Sequence, residues 1–239
     1  GMYQTHYNQG KTAAQGFSSH DGFYQHTDRA QWPLTQGISN IALRKDSVTI
    51  AEALEGYHSA FVGKWHLGGH GSKGYSPMDQ GFEGIAWFDA GGSPYFNWRN
   101  RWNQKTLIHK KMRQDTLYSG DAGKETGEKY LTDDLTVQAC EFIQGRQKEE
   151  EPFLLYFCHF AVHSPFQAKA QDIRYFSKKK QRGWNGHANP TYAAMLKTLD
   201  DSIGAMVATL KATKQLDNTI IIFMSDNGGI VHPDENGKP

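Results

Sequence analysis

Two cysteines among 239 residues are too few for a disulfide framework, so an apolar core has to hold the fold. Cys140 falls in a helical pattern and Cys158 in an apolar run, and both read as small buried side chains. No charge of one sign dominates: the net charge is +1 and charged residues make up 21% of the chain. That balance excludes a nucleic-acid footprint and an acidic tail. No stretch has the length of a membrane-spanning helix, no leader pattern opens the sequence, and no internal repeat is visible. A nucleotide-binding phosphate loop is missing too. In "AFVGKWHLGGHG" (60–71) six residues separate Gly56 from Gly63, where the motif needs four, and Trp65 rather than Ser or Thr follows Lys64.

Aromatic residues, at 13%, are abundant against a hydrophobic fraction of only 38%, the mixture expected of long aromatic-bearing loops on a modest core. Residues 1–40 are rich in Gln, His, Gly, Tyr and Ser without a period and read as an arm or loop. Thr49 and Glu52 make a capping-box pattern for a short helix that Gly56 ends. "HSAFVG" reads as a strand, and 69–130 as a long irregular region. A helix follows from Thr132, with Leu135, Ala139, Phe142 and Ile143 on one face, then a strand in "PFLLYFCHF" (152–160). A basic loop spans 166–189. Met195, Leu199, Ile203, Met206, Val207 and Leu210 mark a long amphipathic helix, and "NTIIIFMSDNGG" (218–229) a final buried strand. Alternating helices and strands predict one α/β domain, a mostly parallel sheet with helices on both faces. Its core spans 41–229, and a short tail covers 230–239.

Each expected strand runs into polar residues: Lys64 and His66, then His163, then Asp226 and Asn227. Ligands of open α/β sheets bind beyond the carboxyl ends of strands, so these groups are expected to converge. In extended backbone, residues two apart project to the same side, which lets Lys64 and His66 flank one dianionic group. Asp226 and Asn227 offer hard oxygen donors suited to Ca²⁺ or Mg²⁺; the same four residues Asp-Asn-Gly-Gly equally form a plain turn. The spacings His66-x-x-x-His70 and His159-x-x-x-His163 lack the internal Glu and the helix of a zinc protease.

With these residues in view, the chain resembles the sulfatase family of the alkaline-phosphatase superfamily from about Thr35 to Gly229. "GYHSAFVGKWHLG" looks like the family's second signature and "DNTIIIFMSDNGG" like its metal-bearing strand end, with "GYSPMDQGFE", "HFAVHSPFQA" and "YAAMLKTLDDSIGAMVATL" between them in the usual order. The resemblance implies hydrolysis of a sulfate ester, on a small molecule or a carbohydrate, with no nucleic-acid partner. It implies that Lys64 and His66 grip the sulfate and that His163 faces the leaving oxygen. Asp226 and Asn227 are then two ligands of a divalent cation, most often calcium, and the protein works in the periplasm or outside the cell. The sequence also departs from the family. The Cys/Ser-x-Pro-x-Arg motif that yields the formylglycine nucleophile does not occur, nor do the paired aspartates of the first strand or the second lysine. The expectation is therefore an internal segment of a sulfatase, inactive by itself. Two alternatives stay open: a phosphodiesterase or phosphonate hydrolase of the same superfamily, and a non-catalytic form that binds anions or a partner.

Overall fold

In the computed structural model, residues 43–67, 74–88, 95–96, 130–180, 183, 187–226 and 228–229 are described. The arm 1–40, the tail 230–239, His70 and Asn227 lie outside them.

Thr49 starts the first helix, α1 (Ile50–Ala53), through the reciprocal box its sequence predicts. Its hydroxyl accepts from the Glu52 amide at 3.3 Å, and its own amide donates to the Glu52 carboxylate at 2.7 Å. Gly56, at φ 77°, turns the chain into β1 (His58–Lys64), whose five inner residues are all buried. A strand buried on both faces belongs at the centre of a parallel sheet. β1 does sit in the middle, with β2 (Glu83–Phe88) on one side and β3 (Phe153–Cys158) on the other, both parallel to it. All three carboxyl ends therefore open on one edge.

The two faces of β1 sort its side chains. Val62 points into a cluster with Ala86, Phe88, Leu131, Leu135, Ala194 and Met195, covered by α2 (Leu131–Gly145) and α4 (Pro190–Ala212). Phe61 points the other way, onto Trp65, Phe82, Trp87 and Ala51 of α1. Helices thus cover both faces, as expected. Each of the fully buried large side chains Phe61, Trp87 and Phe88 contributes about 1.5–3 kcal/mol through lost apolar exposure. Asn189 caps α4, its side chain accepting from the Thr191 and Tyr192 amides at 3.0 Å each, and Pro190 occupies the first turn. Thr136 and Ser202 meet through their hydroxyls where α2 crosses α4.

Four expectations need correction. The region 69–130 is not irregular throughout, because it holds β2 and a short turn of 3₁₀ helix at Pro77–Gln80. Gly84 and Trp87 disguise the strand as loop composition, yet they need each other. A Cβ on Gly84 would lie 2.5 Å from the Trp87 indole nitrogen. The loop 166–189 contains α3 (Ala170–Ser177), held by Ile173 and Phe176 packed on the core. The run 152–160 does form a strand, but among the described residues β3 is paired only to β1 and its residues are half-buried, with Tyr156 exposed. The apolar run at 218–225 forms no strand among the described residues: Ile220–Met224 are exposed and join no ladder. A β-branched sequence suits a strand, but the ladder also needs a neighbouring backbone to bond. Both cysteines are free and half-buried.

Candidate active site

Lys64 closes β1 opposite Phe88 of β2, and the next amide, that of Trp65, donates to the Phe88 carbonyl at 2.8 Å. On the other side Gly63 pairs with Cys158, and a Cβ at this position would lie 2.0 Å from the Cys158 carbonyl oxygen. With φ at 102°, position 63 admits only glycine, which brings the end of β1 against the end of β3. Lys64 is thereby sunk into the carboxyl edge of the sheet. Burial holds its ammonium below the ordinary lysine range, with Cys158 and Asp226 pulling the other way. The Cys158 thiol is pushed up by burial, with Lys64 pulling the other way. Asp226 is thus within electrostatic range of Lys64.

His66 departs from the expected pairing with Lys64. The strand ends at Lys64, Trp65 is anchored by its indole N–H to the Tyr75 carbonyl at 2.7 Å, and His66 takes φ 49°. Strand alternation does not reach His66, whose side chain is exposed while Lys64 is half-buried.

Phe160 links Lys64 to His163. The Lys64 ammonium lies 5.2 Å from the Phe160 ring centroid, and the His163 ring lies 5.2 Å from the same ring, tilted by 31°. His163 is exposed, and its Nδ1 donates to the Ser164 carbonyl at 2.6 Å. That bond fixes the tautomer and leaves Nε2 as the atom able to exchange a proton with a ligand. The turn carrying His163 is tied down from below. The buried Tyr95 hydroxyl is shared between the carbonyls of His163 at 2.9 Å and Phe160 at 3.1 Å. Tyr95 stacks on Tyr130, and Gln167 accepts from the Tyr95 amide at 2.7 Å while its own carbonyl accepts from the Tyr130 hydroxyl at 2.6 Å. Burial holds both phenols well above the ordinary tyrosine range, so they stay donors.

Sequence reasoning misses this support. Tyr95 sits in a glycine- and asparagine-rich stretch with no period to mark it. His159 stands out in the sequence only as half of a zinc spacing. Its ring centroid lies 3.8 Å from that of Phe157, both of its nitrogens are buried without a hydrogen-bond partner among the described residues, and burial pushes its pKa down to about 4.

Of the expected metal ligands, Asp226 is within electrostatic range of Lys64 and Asn227 is outside the described residues. Among the described residues no group of three His, Cys, Asp or Glu side chains gathers to hold an ion. One carboxylate beside a lysine does not make up a hard-cation shell of six to eight oxygens. The described residues therefore do not fit a complete metal site.

A parallel sheet flanked by helices gives the fold class, α/β; comparison with known proteins gives the family. The sulfatase family profile matches residues 2–239, and the chain belongs to the sulfatase family. Sulfatases as a family work with a divalent cation. Porcine (Sus scrofa) N-acetylgalactosamine-6-sulfatase is 32% identical over 175 residues, covering 72% of this chain and 31% of that protein. The human (Homo sapiens) protein of the same name is 32% identical over 187 residues, covering 77% and 33%. The solved structure "Ps i-CgsB in complex with k-i-k-neocarrahexaose" is 33% identical with a TM-score of 0.58, covering 80% of this chain and 42% of that one. The chain thus spans about a third of the length of the curated relatives it matches. Its parallel sheet with flanking helices is the alkaline-phosphatase-like fold of its structural neighbours. No described helix is long and apolar enough to cross a membrane.

Proposed function

We propose that this chain carries the sulfate-gripping and leaving-group side of a sulfatase active centre. The protein it serves hydrolyses a carbohydrate sulfate ester, R–O–SO₃⁻ + H₂O → R–OH + HSO₄⁻. The observation that carries this reading is Lys64, sunk at the carboxyl edge within electrostatic reach of Asp226 and sharing the Phe160 ring with His163. Family membership and the sugar sulfates named in its relatives support it.

In this assignment the Lys64 ammonium offsets charge on the sulfuryl oxygens, where a partly desolvated cation acts more strongly than in water. His66, exposed at the mouth, gives the sulfate a second donor. His163 acts as the imidazolium: with Nδ1–H held by the Ser164 carbonyl, it gives the Nε2 proton to the departing alkoxide oxygen and is left as the neutral Nδ1–H ring. Asp226 and Asn227 are assigned as oxygen donors to Ca²⁺, and no step is drawn through that ion because the described residues do not complete its shell. The family's formylglycine is likewise outside this sequence, so the chain's own residues are assigned binding and proton transfer only. By the same likeness we assign the working protein to the periplasm or the extracellular space.

The test is release of sulfate from 4-nitrophenyl sulfate and from a sulfated galactosaccharide by a protein joining this segment to a Cys/Ser-x-Pro-x-Arg motif. Lys64→Ala should lower turnover by about 10²–10³, the usual loss on removing one charge-stabilising donor. Faster cleavage of bis(4-nitrophenyl) phosphate than of the sulfate would replace this reading with the phosphodiesterase one.

A further inference from the structure

The segment that leaves β3 through His163 carries an excess of positive charge that the active-site assignment does not use. Between Glu151 and Asp200 the sequence has one carboxylate, Asp172, against seven lysines and arginines, in a chain whose net charge is +1. Positive charge is thus gathered in this segment, and the rest of the chain is acidic.

The structure divides those cations into two groups. Lys169 donates to the Asp133 carboxylate at 2.8 Å, and Lys197 donates to Asp201 at 2.5 Å while lying 3.6 Å from Asp172. These two tie α3 and its approach to α2 and α4. Asp172, the single carboxylate of α3, is buried and faces inward to Lys197. Arg174, Lys178, Lys179 and Lys180 remain on the outside of α3 and just past its end. All four are exposed, and none pairs with a carboxylate among the described residues.

A folded backbone holds this second group in place. The Lys178 amide donates to the Tyr175 carbonyl at 3.3 Å and the Lys179 amide to the Phe176 carbonyl at 3.0 Å. On the inner side of α3, Ile173 and Phe176 pack against the core cluster that contains Phe88 and Phe160. Among the cations Tyr175 is 53% exposed, with the Lys179 ammonium 4.6 Å from its ring centroid. Four cations within seven residues repel one another, a cost that an anion set among them removes.

We propose that Arg174, Lys178, Lys179 and Lys180 form a docking surface for a second anionic group of a sulfated polysaccharide. The proposal rests on the sulfate-ester reading of Lys64 and His163. The charged neighbours of Lys64 are Cys158 and Asp226, so these four cations hold a group apart from the sulfate at Lys64. Both places stand on one anchored segment: α3 begins seven residues after His163, and Gln167 between them is bonded to Tyr95 and Tyr130. A sugar chain with repeated sulfates fits two separate cationic places, and Tyr175 offers its rings an apolar plane. Nucleic acid is disfavoured, since it needs a basic stripe along its whole path and the rest of this chain is acidic.

The probe is a galactan oligosaccharide bearing several sulfates, titrated calorimetrically into the 239-residue chain at low salt. Lys178→Gln/Lys179→Gln/Lys180→Gln should weaken binding by about tenfold or more, the summed effect of three exposed ion pairs. Added salt should weaken the wild type more than this variant, and the desulfated oligosaccharide should not bind. Lys211→Gln/Lys214→Gln removes exposed charge about 21 Å along α4 from Lys197 and should leave the affinity unchanged. In a protein joining this segment to the nucleophile motif, the triple variant should raise KM for the oligosaccharide and leave turnover of 4-nitrophenyl sulfate as it is. The docking surface is overturned by no binding to the wild type, by unchanged affinity in the triple variant, or by equal weakening in both sets of variants. Equally tight binding of single-stranded DNA of matched charge overturns it too. Failure of the joined protein to cleave any sulfate ester would count against the Lys64 assignment instead, because the titration reads the surface independently of turnover.

Discussion

The Tyr95 hydroxyl donates to the His163 carbonyl at 2.9 Å, tying the candidate proton donor to a buried tyrosine, itself stacked on Tyr130, that lies 68 residues earlier in the chain. Tyr95→Phe keeps the ring stacked on Tyr130 and removes this donor from the His163 carbonyl, while the Phe160 carbonyl still accepts from the His163 amide at 3.0 Å. The expected loss of stability is about 1–3 kcal/mol, the penalty for an unsatisfied buried polar group. Urea unfolding checks it. A midpoint unchanged from wild type would mean that the turn is held by other contacts.

Two glycines should respond in opposite directions to the same substitution. Gly63→Ala places a methyl 2.0 Å from the Cys158 carbonyl oxygen at a φ of 102°, so either the β1–β3 register or the strand end must shift. A loss of about 2 kcal/mol or more is expected from strain of this kind. Gly204 lies inside α4, where an added methyl would meet nothing within 4 Å, and Gly204→Ala should gain about 0.5–1 kcal/mol. Thermal melts of both variants beside wild type give the comparison. A stabilised Gly63→Ala would remove the steric account of the strand end.

Much of this fold is legible in the sequence because the local signals agree with the packing. Thr49 and Glu52 mark the start of α1, the unbroken apolar run marks β1 as central, and Asn189-Pro190 opens α4. Where the sequence misleads, a packing partner that no periodicity marks is responsible. Gly84 looks like a loop residue until Trp87 is seen to need its missing side chain. Ile220–Met224 look like a strand, yet among the described residues they pair with no neighbouring backbone. The site divides in the same way. Lys64, His163 and Asp226 are legible because they end strand-like runs, whereas Tyr95 and Gln167 act through hydrogen bonds that no local pattern encodes. His66 is legible in name but not in posture, since a single positive φ breaks the alternation that would aim it.

His159 should make stability depend on pH. Burial lowers its pKa from 6.5 to about 4, so the folded state keeps the ring neutral where the unfolded chain already binds a proton. The unfolded state holds more protons between those two values. The contribution is therefore complete above pH 6.5, falls as the pH drops towards 4, and levels off below. Its full size is up to about 3 kcal/mol by linkage. His159→Phe should flatten this window while carboxylate effects at lower pH persist. Urea midpoints of wild type and variant from pH 7.5 to 4 separate the two. If both fall in parallel between pH 6.5 and 4, the buried neutral imidazole is not the cause.

The role assigned to His163 is tested by how its loss depends on the leaving group. With Nδ1 committed to the Ser164 carbonyl, only Nε2 can deliver a proton to the departing oxygen. In a protein joining this segment to the nucleophile motif, His163→Ala should lower turnover of an alkyl or sugar sulfate by about 10²–10⁴, the usual contribution of a general acid. A nitrophenolate departs without needing that proton, so the same substitution should cost much less with 4-nitrophenyl sulfate. The 239-residue chain by itself should release no sulfate from either substrate, since its sequence lacks the Cys/Ser-x-Pro-x-Arg nucleophile motif. Ser164, whose hydroxyl lies 3.5 Å from His163 Nδ1, is no substitute, because a plain serine would end as a stable sulfate ester. Equal losses for leaving groups of widely different basicity would take His163 out of the acid role and leave it a part in binding alone.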